Sequence, residues 1–418
     1  MKVTLSGIAM ALLAASSLAF AQIPDQPTPL SQLLSEAQAN NPQIAVATDT
    51  WKAATNKVQQ VTTLPDPRLT VQEFSVGSPK PFAGYTNSNF AYIGVGASQE
   101  LPFPGKLRLR GEVASRQADT LHAQVSVTEA TVADAVKAEY VQLAYLQQTL
   151  GVLQESKNTV EQLVKDATIH YRVGEGMQQD VLDAQVQRTD LIRKIAVHHE
   201  QLGQVEAQLK SLLHRDQDSP DIVAEPLRET VLSLTAAELL AMVKAQNPQI
   251  VADTKDIQKQ NAAVASAKRE GKPDFGLSYM YQNTDRKYRD YYMLTFDVRL
   301  PRRKRVNAEI AEAAENLAQS RDTLDAHLQQ QMADVKQQFV RASSDHEILT
   351  DYSEGLIPQT DAAYQATVSA YSSNREQFVH VVASFLARLN LRLDYLQTLA
   401  DHEAAIARLE TLTGASLR

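Results

Sequence analysis

The 418-residue chain contains no cysteine. That absence excludes disulfides, thiolate metal sites, cysteine nucleophiles and a lipidated N-terminal cysteine. Glycine and proline are sparse, at 15 and 16 residues, and there is a single tryptophan. No stretch approaches the ~18 consecutive apolar residues that a transmembrane helix needs. A chain with this sequence can therefore cross a membrane only as a closed β-barrel, the other structure that satisfies every backbone polar group in lipid. The net charge of −8 argues against a general nucleic-acid binder. What remains is rich in alanine, leucine and glutamine, the composition of long helices.

The N-terminus reads as a secretory signal. Lys2 supplies the positive region, Ile8 to Leu18 an apolar run, and Ala19-Phe20-Ala21 a small-x-small cleavage site. Residues 1–21 are thus expected to be removed on export.

The rest of the chain is duplicated. Leu33-Leu34 with Ala39-Asn40-Asn41-Pro42-Gln43-Ile44 returns as Leu239-Leu240 with Ala245-Gln246-Asn247-Pro248-Gln249-Ile250. Pro65-Asp66 returns as Pro273-Asp274, Leu101-Pro102 as Leu300-Pro301, and Tyr171 as Tyr371. The near-constant offset marks one fused duplication rather than a solenoid. The first repeat spans 22–214, the second 235–418, and 215–234 joins them as an equatorial linker. The linker's Asp216-Gln217-Asp218-Ser219-Pro220 run suggests a surface connection.

Each repeat opens with a short helix that stops at the shared Asn-Pro, because proline disfavours helix in the residue before it. A second helix follows, then two strands. In the second repeat Phe275, Leu277, Tyr279 and Tyr281 alternate with smaller or polar residues, as do Tyr292, Leu294, Phe296, Val298 and Leu300. This period-two pattern predicts strands over about 274–283 and 290–300 with one face in lipid. The first repeat predicts strands over about 68–76 and 90–100, where Gly94 and Gly96 lie opposite Ile93, Val95 and Ala97. Each repeat then has a helical hairpin, about 105–214 and 303–413. Its long arm carries apolar residues at three- and four-residue steps, from Val125 through Leu143 to Leu163, as in a coiled coil. At 1.5 Å per residue that arm reaches about 100 Å. Pro358 and Gly355 predict a hinge or a bend in the second long arm.

Four strands cannot close a barrel, for which about eight is the minimum. Left open, their edges would invite aggregation. Three copies give about twelve strands and about twelve helical columns, whereas a dimer would fill its own lumen. The expected fold is therefore an α+β membrane protein, a trimeric 12-stranded transmembrane β-barrel continuous with a 12-helix α-barrel.

The duplicated order, the tip Tyr171-x-x-Gly174, and the closing run Ala404 to Glu410 with Gly414 resemble the TolC-type outer membrane factor family across the mature chain. Ser98-Gln99-Glu100-Leu101-Pro102-Phe103-Pro104-Gly105-Lys106 resembles its heavy-metal efflux branch. The resemblance implies a homotrimer in the outer membrane of a Gram-negative-type bacterium, with a large periplasmic extension. It implies a passive exit duct for a tripartite system, fed by an inner-membrane pump of the RND type through a periplasmic adaptor, and heavy-metal cations as cargo. A multidrug or type I secretion duct of the same fold is the alternative. A structural periplasmic coiled coil or adaptor is a second class, although adaptors normally carry one helical hairpin rather than two.

The resemblance also places the adaptor contact at the helical tips, Tyr171, Gly174, Gly176, Tyr371 and Asn374. It marks Asp180 and Asp183 as gate candidates, joined by Arg375 and His380 in the second repeat. Asn374 stands where glycine is usual, and asparagine tolerates the left-handed backbone such a turn needs. Two basic clusters, Lys106, Arg108 and Arg110, then Arg302, Arg303, Lys304 and Arg305, sit at helix starts where the macrodipole opposes them. Lipid headgroups are their expected partners. His198-His199-Glu200 and Asp345-His346-Glu347 lack the three- or four-residue spacing of a chelate. No catalytic set, metal site or cofactor is expected, and the chain is not expected to be an enzyme.

Overall fold

The computed structural model describes residues 27–83, 88, 90–284 and 289–417, so the expected signal segment lies outside the described residues. The first repeat comprises α1 (Leu30–Asn40), α2 (Pro42–Thr62), β1 (Arg68–Phe74), β2 (Tyr92–Leu101), α3 (Lys106–Arg172) and α4 (Gln178–Leu212). The second comprises α5 (Ala236–Gln246), α6 (Pro248–Glu270), β3 (Asp274–Asn283), β4 (Asp290–Arg299), α7 (Arg303–Asp351), α8 (Ile357–Ser372) and α9 (Phe378–Thr413). Among the described residues no helix is long and apolar enough to cross a membrane.

The second long arm is divided where Pro358 predicts a disturbance. Residues Tyr352–Leu356 form a π-helical turn between α7 and α8, and the Ile357 amide bonds back to Tyr352. A proline ring cannot accept a tight turn before it, and the wider π-turn relieves that clash. The backbone stays right-handed helical on both sides of the turn.

The shared Asn-Pro does more than stop a helix. Asn41 Oδ1 accepts the Gln43 amide at 2.8 Å, capping α2, while its Nδ2 donates to the Leu212 carbonyl at the end of α4, also at 2.8 Å. Asn247 repeats both bonds, to Gln249 at 2.9 Å and to Leu412 at the end of α9 at 2.8 Å. A helix start leaves amides without partners and a helix end leaves carbonyls without partners. One carboxamide satisfies one of each, which stacks α2 end to end on α4 and α6 on α9. Apolar clusters surround each junction: Leu33, Ala37, Leu209 and Leu213 in the first repeat, Leu239, Val243, Leu409 and Leu412 in the second.

The linker is only partly the surface connection its polar run suggests. Ile222 and Ala224 are buried in the first of those clusters, and Thr28 pairs with Ala224 in a parallel bridge. The apolar residues after Pro220 draw this stretch inward.

The four strands form one antiparallel sheet in the order β1-β2-β3-β4. Its middle pair joins the repeats, from Ile93 opposite Asn283 to Leu101 opposite Phe275. The helices keep the same lateral order: α2 packs on α3, α3 on α6, and α6 on α7. Beyond the junctions α4 packs on α3, α3 on α9, and α9 on α7 and α8. A third apolar cluster, with Leu153, Val160, Phe378 and Phe385, holds these lower helices together.

Candidate functional site

The sheet is a two-faced wall. Register places Leu69, Val71, Val95, Ala97, Leu277, Tyr279, Tyr281, Tyr292, Leu294 and Phe296 on one face. The opposite face carries Thr70, Gln72, Gly94, Gly96, Ser98, Ser278, Gln282, Thr295 and Asp297. The apolar face is exposed in the isolated chain, with Leu294 at 70% and Phe296 at 62%. At the base of the polar face Arg299 pairs with Glu100 at 3.1 Å, and Arg68 approaches the same carboxylate at 3.8 Å. Among the described residues β1 pairs only with β2 and β4 only with β3, so each outer edge is open to another strand.

The helix starts below the wall correct one expectation. Lys106 is 1% exposed, its ammonium 2.9 Å from Asp274 and 3.4 Å from Glu270. It is sealed inside the chain and does not face a lipid headgroup. The two carboxylates compensate the unfavourable dipole. Asp274 also accepts the Phe103 amide at 2.9 Å, Arg269 lies 4.8 Å over the Phe103 ring, and Gly105 turns the chain with φ +92°. The Pro102–Lys106 segment is therefore a corner that ties the β2–α3 turn to the α6–β3 turn. Arg110 pairs with Glu270 at 2.7 Å, Arg108 with Glu112 at 3.6 Å, and Arg305 with Glu309 at 2.7 Å. Arg108, Arg302, Arg303, Lys304 and Arg305 are exposed.

At the opposite end each hairpin closes in the same turn. Gly174 has φ +82° and Asn374 has φ +57°, both left-handed, as expected for Asn374. The Gly174 amide bonds to Tyr171 and the Glu175 amide to His170, while Asn374 and Arg375 bond to Tyr371 and Ala370. These paired bonds satisfy the last carbonyls of each arm. Gly176 is close to its neighbours: a Cβ there would crowd the His170 side chain at 3.1 Å.

Tyr171 is exposed, whereas the Tyr371 ring packs against His170 at 5.0 Å and Phe378 at 5.4 Å. The His170 contact joins the tips of the two repeats. Burial raises the Tyr371 phenol pKa, and the carboxylates of Asp180 and Asp166 push it the same way. Asp180 caps α4 by accepting the Met177 amide at 3.1 Å, and Asp183 accepts from Gln179 at 2.8 Å. Arg375 is exposed, and His380 lies 3.9 Å from Glu376. Ile169, Val173, Met177, Leu182 and Val186 expose apolar side chains beside this turn. Ile169, Leu182 and Val186 fall off the buried stripes of α3 and α4, the one signal from which the sequence could have shown them.

A charged network lies above the tip. Arg388 Nε donates to Asp361 at 2.5 Å, and Arg392 reaches Asp361 at 3.3 Å and Glu155 at 3.4 Å. It links α8 and α9 of the second repeat to α3 of the first. Burial alone would raise the Asp361 pKa, but Arg388 and Arg392 outweigh it and hold the carboxyl below its ordinary value. A depressed carboxyl contributes stability above its unfolded pKa and loses it as pH falls through the folded one. Asp361→Asn is therefore expected to speed hydrogen exchange in α8 and α9 at neutral pH. The gap to the parent protein should close on acidification below about pH 4. A gap unchanged at low pH would show that the charge is not what holds these helices.

The remaining candidates are structural. His198 bonds the Lys194 carbonyl at 2.9 Å, and His346 pairs with Glu229. Among the described residues no three histidine, aspartate or glutamate side chains come together in a way that could hold a metal ion.

Residues 33–214, the first repeat, match the family model of the outer membrane efflux protein. Over these residues the chain is similar to the outer membrane efflux protein family. Solved structures extend the likeness over the second repeat. The outer-membrane channel OprN is 15% identical with a TM-score of 0.79, over 93% of this chain and 90% of that one. The outer membrane protein VceC from Vibrio cholerae is 15% identical with a TM-score of 0.76, over 93% and 97%. CusC, described as forming a transmembrane channel, is 15% identical with a TM-score of 0.76, over 93% and 92%. At such identities the likeness establishes the fold. No curated protein matches the sequence. OprN and CusC are described as channels, and VceC as an outer membrane protein.

Proposed function

We propose that three copies of this chain close a 12-stranded barrel in the outer membrane, continued by a 12-helix duct into the periplasm. The register carries this reading: one apolar face crosses all four strands, and among the described residues both sheet edges lack partners. Edge pairing between copies would satisfy those backbone groups and turn the apolar face to lipid. The helices keep the strand order, so the same closure would continue the lumen downward.

The duct is passive, and energy comes from an inner-membrane pump of the RND type joined to it by a periplasmic adaptor. The adaptor docks on the tip turns, at Tyr171, Gly174, Gly176 and Asn374 and the apolar side chains beside them. Arg108 and Arg302 to Lys304 meet anionic headgroups of the inner leaflet. Asp180 and Asp183, with Arg375 and His380, ring the closed entrance in threefold copies. Rings of like charge set ion selectivity in narrow pores. Asp180→Asn with Asp183→Asn should lower cation over anion selectivity in planar bilayers, and unchanged selectivity would retire the ring.

Heavy-metal cations are the proposed cargo, from the resemblance of the Ser98–Lys106 segment. A deletion strain tests this beside dyes, detergents and antibiotics. Selective metal sensitivity restored by the intact gene supports the reading. Sensitivity to organic compounds alone makes this a multidrug duct.

A further inference from the structure

Just below the sheet the helices hold a cavity of about 640 Å³. It touches α2, α3, α6 and α7, which stand in a row, α2 packed on α3, α3 on α6 and α6 on α7. A cavity in contact with all four lies on the hollow side of that row. The same side continues the polar face of the sheet. Glu270 on the lining shares the Lys106 ammonium with Asp274, which register places on the polar face with Gly276 and Ser278. Arg110 lines the cavity, whereas Arg108, about 200° away round α3, points to the other side.

The lining is that of a small-molecule site. Its floor is Ala54, Val61, Val113, Ala114, Ala263 and Ala267. Four of these are alanines, short enough to leave the space between the helices open. Small-molecule sites are mostly apolar, of about 300–1,000 Å³, with a few placed polar groups. Here those groups are charged. Arg110 pairs with Glu270 and Arg305 with Glu309, each at 2.7 Å. Lys57 has no carboxylate partner among the described residues, so the lining carries one uncompensated positive charge.

We propose that this cavity binds an amphipathic organic anion, its apolar body on the alanine and valine floor and its acid group at Lys57. Leaving water favours the body, and a charge-assisted hydrogen bond from the ammonium holds the acid group. A metal cation would meet the like charge of Lys57 instead. The site is complete within one chain. That it opens to the lumen rests on the barrel reading above; the binding does not. In the trimer three occupied copies would narrow the duct just below the barrel.

The probe is 1-anilinonaphthalene-8-sulfonate, added to the full-length trimer in lipid nanodiscs. Trp51, the single tryptophan, lies six residues before Lys57, about 9 Å along α2, and reports bound probe by energy transfer. Transfer should saturate at one probe per chain. Lys57→Gln should weaken binding about ten-fold, and Ala263→Phe, which fills the floor, should abolish it. Lys268→Gln removes an exposed charge that is not on the lining and should change nothing. Equal weakening by Lys57→Gln and Lys268→Gln, or binding retained in Ala263→Phe, overturns the site. In planar bilayers the probe should lower the conductance of the parent protein but not of Lys57→Gln. Binding that depends on Lys57 while conductance stays unmoved would sink the lumen placement and keep the site. Conductance lowered equally in Lys57→Gln, without Lys57-dependent binding, would keep the duct and overturn the site.

Discussion

Leu294→Arg should abolish recovery of the protein as a trimer in the outer-membrane fraction, whereas Thr295→Arg next to it should not. Leu294 lies midway along β4 on the apolar face, opposite Tyr279, and Thr295 lies on the polar face, opposite Ser278. An arginine on the lipid face near the bilayer midplane costs about 2–4 kcal/mol per chain, and about three times that in a trimer. That sum rivals the whole stability of many proteins. On the polar face the same side chain meets water. Membrane fractionation with unheated gel mobility checks both variants. Equal loss from the two would mean that the strands do not separate lipid from water as the register requires. Normal insertion of Leu294→Arg would rule out lipid contact at that face.

That contrast was legible in the sequence because side-chain alternation is a local property. The period-two pattern located β3 to within a residue, and β4 ends at Arg299 rather than Leu300. The first repeat is less legible: β1 stops at Phe74, two residues short of its expected end, and β2 begins at Tyr92 rather than about 90. The left-handed turn at Asn374 was also legible, since it depends on one residue's backbone preference. Pairing between the repeats was not, because nothing near Val95 announces Tyr281 as its partner.

Lys106 shows the same limit with a charge. Its position at a helix start gave the sign of the dipole problem. The solution, Asp274, lies 168 positions away. Long-range partners of this kind are what a single sequence conceals.

The repeated asparagine yields the second large effect. As a mark in the sequence Asn-Pro means a helix boundary; in the fold it fastens two helices. Asn41→Ala removes a helix cap, worth about 0.5–2 kcal/mol. It also strands the buried Leu212 carbonyl, at about 1–3 kcal/mol. Asn247→Ala should cost as much at Leu412. The two sites share no partner, so the double variant should lose roughly the sum, about 3–10 kcal/mol. Denaturant unfolding of the helical part, followed by circular dichroism, measures this. Asn56→Ala on exposed α2 surface is the control and should change little.

Asn41→Asp separates the two contributions. Aspartate caps a helix as well as asparagine does, but as a carboxylate it cannot donate to Leu212. If the junction works as a two-way fastener, aspartate should still destabilise substantially. If aspartate restores full stability, the bond to Leu212 carries nothing and the residue is only a cap. Asparagine recurs at both junctions because it is the shortest side chain that joins a carbonyl acceptor to an N–H donor. The stacking of α2 on α4, and of α6 on α9, needs both groups at one point.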